Sequence, residues 1–182
     1  MKIVIMISAK VIMFIKKVGN KIISLYQLSQ IPHGKNCEIR GGGGSSFQGN
    51  ITFGNHVVIG TNSNFMSTGA KITIGNSVLF GPHVFIITGN HQVNQIGKYI
   101  IDVEKKTECC DADVVIEDDV WIGAGTIILK GVRIGRGSVI GAGSIVTKDI
   151  QPYSINAGNP CRKIRMRFTD AEIEEHEKEL RL

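Results

Sequence analysis

Residues 120–150 read VWIGAGTIILKGVRIGRGSVIGAGSIVTKDI, and an aliphatic residue returns at every sixth position of this stretch. The same period extends back toward the N-terminus, with a three-residue insertion after Phe65 and a long break after Ile86. A small or branched residue stands two positions before most of these repeated residues, and a glycine usually follows them. The series comprises Phe47, Phe53, Ile59, Phe65, Ile74, Phe80, Ile86, Ile116, Ile122, Ile128, Ile134, Ile140 and Val146.

A six-residue period is typical of short flat strands joined by turns. Alternate side chains of a strand point to one side, so the repeated aliphatic positions predict an inward-facing core. Each turn needs a residue that tolerates a positive φ, which glycine does best. An amphipathic helix would repeat every three or four residues instead. A β-sandwich also alternates, but it would not hold a strict phase of six through so many repeats.

The motifs VVIG, ITIG, VWIG, VRIG, SVIGAGSIVTKDI and NAGNPCRKI resemble those of the hexapeptide-repeat acyltransferases. The resemblance covers residues 51–168 and is most specific in the second half. It implies an all-β fold, a left-handed parallel β-helix of hexapeptide repeats. It also implies acetyl-CoA as cosubstrate and a homotrimer with active sites between the subunits.

The chain divides into three predicted parts. Residues 1–36 form a basic amphipathic appendage with a short helix over 8–29, and residues 37–168 form the β-helix with an inserted active-site loop at 88–113. Residues 169–182 form a C-terminal helix, opened by a capping box between Thr169 and Glu172. Two interpretations of the first helix stay open, namely contact with an anionic membrane and packing on the open end of the coil.

The long break in the repeat holds the sequence TGNH at residues 88–91. A loop of this length in a compact domain is usually functional or disordered. Counted from Gly75, His91 has the offset of the catalytic histidine in the resembled family, which implies a general base. Histidine suits this role because it ordinarily titrates near neutral pH. The other interpretation is a loop histidine that bonds to backbone.

The remaining histidines are predicted to be structural. His56 and His83 stand three residues before Ile59 and Ile86, where the coil turns. A zinc lyase on the same fold would need three histidines at a subunit interface. His83 and His91 do not have that spacing, so we predict no metal site.

The resemblance assigns coenzyme A contacts to the second half of the chain. Small side chains are expected to line the groove for the pantetheine arm, and cations to meet the phosphates. For the basic residues, the other interpretation is a solvated surface. The tryptophan is expected to cover the cleft near His91, and its other interpretation is core packing. The resemblance also places Thr147 and Lys148 on the same corner of the coil as Ala124 and Ala142. The assigned residues are Trp121, Ala124, Ala142, Thr147, Lys148, Arg162 and Arg165.

The acceptor is predicted less directly. Asn64 aligns with a sugar-contacting asparagine of galactoside-type enzymes, but the acidic residue expected just beyond is replaced by Thr68, Gly69 and Ala70. The short N-terminal part resembles acetyltransferases of polysaccharide assembly. We therefore predict O-acetylation of a sugar hydroxyl in a surface glycan precursor. An amino sugar, serine or an antibiotic stays open as acceptor, and a non-catalytic scaffold or a zinc lyase lies outside this class.

Charge and cysteines set the remaining expectations. The formal net charge of +5 comes from clusters of Lys and Arg in the first forty residues and again over 148–167, while the last dozen residues are acidic; because the basic residues form no continuous stripe, we predict no nucleic-acid partner. The cysteines lack CxxC spacing and are predicted to be free thiols in a reducing compartment, which indicates the cytoplasm or the inner face of its membrane. They are Cys37, Cys109, Cys110 and Cys161.

Overall fold

The computed structural model describes residues 2–42, 44–104 and 110–180. Helix α1 spans Lys2–Ser29 and helix α2 spans Asp170–Leu180. The strands of the first half are β1 Glu38–Ile39, β2 Ser46–Phe53, β3 Val58–Ile59, β4 Asn64–Ile74, β5 Leu79–Phe80 and β6 Phe85–Ile87. Those of the second half are β7 Val114–Ile116, β8 Trp121–Ile122, β9 Ile127–Ile128, β10 Arg133–Ile134, β11 Val139–Ile140, β12 Ile145–Val146, β13 Ser154–Ala157 and β14 Arg162–Met166.

The strands stack in parallel on three faces of a prism. Face A contains residues 46–48 of β2 and 64–66 of β4, then β6, β9 and β12. Face B contains residues 50–53 of β2 and 71–74 of β4, then β7 and β10. Face C contains β1, β3, β5, β8, β11 and β13. The chain visits the faces in the order C, A, B, and we call the edges between them corners AB, BC and CA.

The core runs along the axis of this prism and consists of the predicted inward positions. Phe65, Ile86, Ile128 and Val146 form one column behind face A, each with no exposed surface. Every member of the six-residue series is buried except Phe47, which is partly buried against the same cluster. The predicted coil of hexapeptide repeats is therefore confirmed.

The corners show that the predicted role of the repeat glycines was wrong. The left-handed residue is not the glycine that follows each strand but the residue two positions later, as at His56 with φ 57° and His83 with φ 60°. The glycine is needed because coils stack closely there. A Cβ on Gly81 would lie 2.6 Å from the backbone nitrogen of Ala124 in the next coil. His56 and His83 are thus turn residues, as predicted.

A helix covers the first coil of the prism. Helix α1 begins at Lys2 rather than the predicted 8, because residues 3–7 contain no helix-breaking Gly or Pro. Its last turns pack on the first coil through the buried Leu28 and Ser24, whose hydroxyl accepts the Gly42 N–H at 3.1 Å. Across the described ranges, no helix is both long enough and apolar enough to span a bilayer.

Helix α2 packs on corner BC of the upper coils. The predicted capping box is present, since the Thr169 N–H donates to Glu172 Oε2 at 2.7 Å. Arg136 forms an ion pair with Glu177 at 2.7 Å, and the Tyr153 hydroxyl donates to the same carboxylate. Burial and that hydrogen bond raise the pKa of Tyr153. Corner BC is therefore occupied by the chain itself, which leaves corners AB and CA open.

Candidate active site

The loop at residues 88–113 replaces the turn at corner AB between β6 and β7. Its first residue, Thr88, has no exposed surface. The Thr88 hydroxyl accepts the Thr68 N–H at 2.8 Å, and the Thr88 carbonyl accepts the Ala112 N–H at 2.8 Å. Thr88 thus joins the loop to the coil below it through its hydroxyl, and to the returning segment of the loop through its carbonyl.

The neck of the loop continues past Thr88 as an antiparallel pair. Gly89 bridges Asp111, and the Asn90 N–H donates to the Cys110 carbonyl at 2.8 Å. The Cys110 thiol, which is buried, donates to Gln92 Oε1 at 3.0 Å. His91 therefore lies between two residues that are each bonded to the same segment. Cys109, the other cysteine of this segment, lies outside the described residues.

His91 stands on the rim of an open groove of about 740 Å³. The groove floor is apolar, formed by Met66, Ile87 and Leu129 on the outer side of face A and at its corner. The His91 side chain is exposed. No hydrogen bond to its ring is found among the described residues.

The three histidines of the coil stand on three different corners. His56 lies on corner BC, His83 on corner CA and His91 on corner AB. Within the described ranges, no group of three or more His, Cys, Asp or Glu side chains is placed to hold a metal ion.

The predicted coenzyme residues do not lie on a single corner. Thr147 and Lys148 follow β12, which pairs with β9, so they lie on corner AB one coil beyond Leu129. Ala124 and Ala142 precede those strands and lie on corner CA. The expectation of a common corner was wrong, because face A separates the turn before a strand from the turn after it.

Corner CA presents a column of small residues. The Gly143 N–H donates to the Ala124 carbonyl at 2.8 Å, and the Ile145 N–H donates to the Gly158 carbonyl at 3.0 Å. Ala142 is exposed and Ala124 half-buried. The surface therefore has small side chains, with backbone atoms close to solvent.

Arg162 lies at the end of this column, and Arg165 lies three residues further along the same strand, beside Ile155 of face C. They belong to β14, which leaves the parallel coil and pairs antiparallel with β13, so that Arg162 stands opposite Ala157. Both guanidinium groups are exposed and donate only to neighbouring carbonyls, Cys161 O at 2.9 Å and Met166 O at 3.0 Å. Neither has a carboxylate partner among the described residues. Both are available to an anionic ligand.

Trp121 and Asn64 lie on the outer sides of two faces. Trp121 is on face C between Leu79 and Val139, with 52% of its surface exposed, so it is not in the core. Within one chain it is also not beside His91, which is on the opposite corner. Asn64 is on face A, two residues before Met66, and it is partly buried on the outer side of that face.

Sequence reasoning missed the apolar floor of the groove. Outward positions of an exposed coil are expected to be polar, yet Met66, Ile87 and Leu129 are apolar and all stand beside the loop. That departure from the alternation is a signal available in the sequence. Val93 and Ile100 within the loop gave no such signal, because no period predicts where their side chains point.

Comparison with known proteins agrees with this architecture. Residues 113–148 match the family described as bacterial transferase hexapeptide (six repeats). A galactoside O-acetyltransferase of Lactococcus lactis is 39% identical over 151 residues, which is 82% of this chain and 70% of that enzyme. The chain belongs to the hexapeptide-repeat acetyltransferases. It is an acyl-CoA-dependent acetyltransferase, and acetyl-CoA is its cosubstrate.

Further relatives place the acetyltransferase within a broad group. A chloramphenicol acetyltransferase of Klebsiella aerogenes is 54% identical over 61 residues, covering 34% of this chain and 29% of that enzyme. A hexapeptide-repeat acetyltransferase of Vibrio cholerae has a similar structure, with a TM-score of 0.62 and 30% identity over 80% of this chain and 79% of that one. A second structure of that protein, complexed with acetyl coenzyme A, has a TM-score of 0.53 and 28% identity over 80% and 76% of the two chains.

Proposed function

We propose that this acetyltransferase moves the acetyl group of acetyl-CoA to a sugar hydroxyl, with His91 as general base. The observation that carries the proposal is the loop neck, which fixes His91 on the rim of an open groove. An imidazole nitrogen with no competing partner in the described chain is suited to accept a proton from a bound alcohol.

The reaction is a direct transfer. His91 accepts the hydroxyl proton while the acceptor oxygen attacks the acetyl carbonyl, and a C–O bond forms. The C–S bond then breaks, and coenzyme A takes the proton from the imidazolium and leaves as a thiol. The product is an O-acetyl ester. No covalent bond to the enzyme is required.

A sugar acceptor is supported by the similarity to galactoside O-acetyltransferase and by the position of Asn64. An amide on the outer side of face A, two residues from Met66 of the groove floor, can donate to and accept from a sugar hydroxyl. We infer that the natural acceptor is a glycan precursor of surface polysaccharide assembly. Free thiols at Cys37 and Cys161 support a reducing, cytoplasmic setting.

A second candidate acceptor is an antibiotic alcohol. The apolar floor formed by Met66, Ile87 and Leu129 favours an acceptor with an apolar body, and a chloramphenicol acetyltransferase is among the relatives. The chemistry at His91 would be the same. The two candidates differ in whether Asn64 or the apolar floor contributes most of the binding free energy.

A homotrimer is supported by the separation of the two half-sites. His91, Thr147 and Lys148 lie on corner AB, whereas Ala124, Ala142 and Arg162 lie on corner CA, across face A. A complete site then needs corner AB of one subunit beside corner CA of the next. A heterologous contact of this kind generates a ring when its rotation closes, and a three-fold ring would give three identical sites. We propose three subunits and a left-handed coil, as in the family pattern.

The test is an acceptor screen with acetyl-labelled coenzyme. Nucleotide sugars, oligosaccharides, amino sugars, serine and chloramphenicol would be incubated with wild-type enzyme and with His91→Ala. We expect label to move to a sugar oxygen only with the wild type. Transfer to an amine or to chloramphenicol would reject the sugar proposal, and equal turnover by the His91→Ala variant would reject the general base. Sedimentation velocity on the same samples tests the trimer.

A further inference from the structure

Helix α1 has an unusual distribution of apolar and charged side chains. Its sequence contains five lysines and no acidic residue. At about 100° per residue, the side chains that contact the coil fall on one half of the helix, around Asn20, Ser24 and Leu28. The opposite half points away from the protein.

That outward half is almost entirely apolar. Phe14 is 68% exposed and Ile15 is 63% exposed, and their neighbours on the same half are exposed as well. A contiguous apolar surface of this size is rare on a soluble protein and marks an interaction site. The residues of this surface, which we call the outer stripe, are Val11, Phe14, Ile15, Val18, Ile22 and Leu25.

The lysines lie on the other half and at its borders. Lys16, Lys17 and Lys21 line a groove of about 450 Å³ between α1 and the first coil, together with Arg40. The one carboxylate of that lining is Glu38, which is 3.7 Å from Arg40. Lys16 and Lys21 flank the outer stripe on its two sides. The helix therefore combines an apolar face with an excess of positive charge at its edges.

We propose that α1 binds the surface of an anionic lipid bilayer. The outer stripe enters the acyl boundary, and the flanking lysines and Arg40 contact lipid phosphates at headgroup level. Charge decides between a membrane and a second copy of the chain. Copies packed through the outer stripe would bring Lys16 and Lys21, which border it, from both helices together, and neither helix has a carboxylate to balance them. Anionic lipid supplies the missing negative charge. The proposal does not depend on which acceptor the enzyme acetylates.

The experiment is flotation of the full-length protein with phosphatidylcholine vesicles, with and without phosphatidylglycerol. We expect binding to the mixed vesicles that weakens as salt is raised, and little binding to phosphatidylcholine alone. The variant Lys16→Gln/Lys17→Gln/Lys21→Gln should lose affinity about a hundredfold, which corresponds to roughly 1 kcal/mol for each lysine. The matched control Lys35→Gln/Lys71→Gln/Lys178→Gln removes the same charge elsewhere and should bind as the wild type does.

A second pair of variants tests the apolar face. Ile15→Ser/Ile22→Ser should weaken flotation, with circular dichroism and acetyl-CoA turnover showing that the fold persists. The proposal is overturned if the wild type does not float with phosphatidylglycerol vesicles at low salt. It is equally overturned if the two triple lysine variants bind these vesicles with the same affinity. It is also overturned if Ile15→Ser/Ile22→Ser splits an oligomer in sedimentation velocity while flotation is unchanged, since the stripe is then an interface between copies.

Discussion

The Asn90 N–H donates to the Cys110 carbonyl at 2.8 Å, directly before His91. This bond, with the Gly89–Asp111 bridge beneath it, makes the two ends of the loop one rigid neck. A base that must meet a proton within hydrogen-bond reach needs this kind of support, because small displacements lower the rate steeply. The stability of the neck and the rate of transfer should therefore change together.

Replacement of Thr88 by Val tests the side-chain hydrogen bond at the base of the loop neck. The change keeps the shape but leaves the Thr68 N–H without its acceptor, so we expect the free energy of unfolding to fall by about 1–3 kcal/mol. The turnover number should also fall, while the KM for acetyl-CoA stays unchanged. Urea unfolding and steady-state kinetics measure both. Thr73→Val, on the exposed side of β4, is the control. Unchanged turnover in Thr88→Val would show that the stability of the neck does not affect the rate of acetyl transfer.

Replacement of His91 by Asn should lower the turnover number by about 10²–10⁴-fold, the usual contribution of a general base. Acetyl-CoA binding, measured by calorimetry, should persist because the substitution leaves every proposed coenzyme residue in place. His56→Asn is the matched control, since asparagine tolerates the positive φ of that corner. A loss of activity in His56→Asn of similar size would show that the effect is structural.

Replacement of Ala142 by Leu should raise the KM for acetyl-CoA. Ala142 is exposed on corner CA, and a larger side chain there would obstruct the surface proposed to bind the pantetheine arm without disturbing the core. We expect an increase of about tenfold or more, which is roughly 1.4 kcal/mol of binding free energy. Ala171→Leu, on the exposed surface of α2, is the control. A KM that rises equally in both variants would contradict a coenzyme groove at corner CA.

Replacement of Arg162 and Arg165 by Gln should also weaken acetyl-CoA binding, and the difference from wild type should shrink as salt is raised. Both guanidinium groups lack a carboxylate partner among the described residues and can meet phosphates. Arg133→Gln removes a guanidinium that already donates to Glu117 at 2.7 Å, and it should leave the KM unchanged. A KM that does not depend on salt in the double variant would remove these arginines from the site.

The capping box of α2 predicts a pH dependence of local stability. Hydrogen bonds from the backbone and hydroxyl of Thr169 lower the pKa of Glu172 below its ordinary value. Because the folded pKa is lower than the unfolded one, this stabilisation is present above the ordinary range of glutamate and is lost as the pH falls through the folded value. Amide chemical shifts of the first turn should follow that loss. Glu172→Gln should abolish the dependence and Glu174→Gln should not.

The core and the loop differ in how far the sequence could predict them. Phe65 and Ile86 were predictable because every coil repeats the same local geometry, so that period alone places each side chain. The role of Gly81 was not predictable from period, since it depends on how close Ala124 of the next coil comes. The separation of Thr147 from Ala142 was also missed, because it requires knowing which strand pairs with which. Val93 and Ile100 lie in a segment with no repeat at all.

The pairing of the strands on either side of the loop has a wider consequence. Ile72 stands beside Val114, and Phe85 beside Ile127, in the same parallel register that joins coils with ordinary corners. The strand pairing therefore continues in register on both sides of the insertion, as it does across a short turn. Beyond its neck, the loop can be exchanged for one of another length without moving a side chain of the axial core. Under the proposed function, such an exchange would alter the acceptor groove beside His91 and leave the register of the coil as it is.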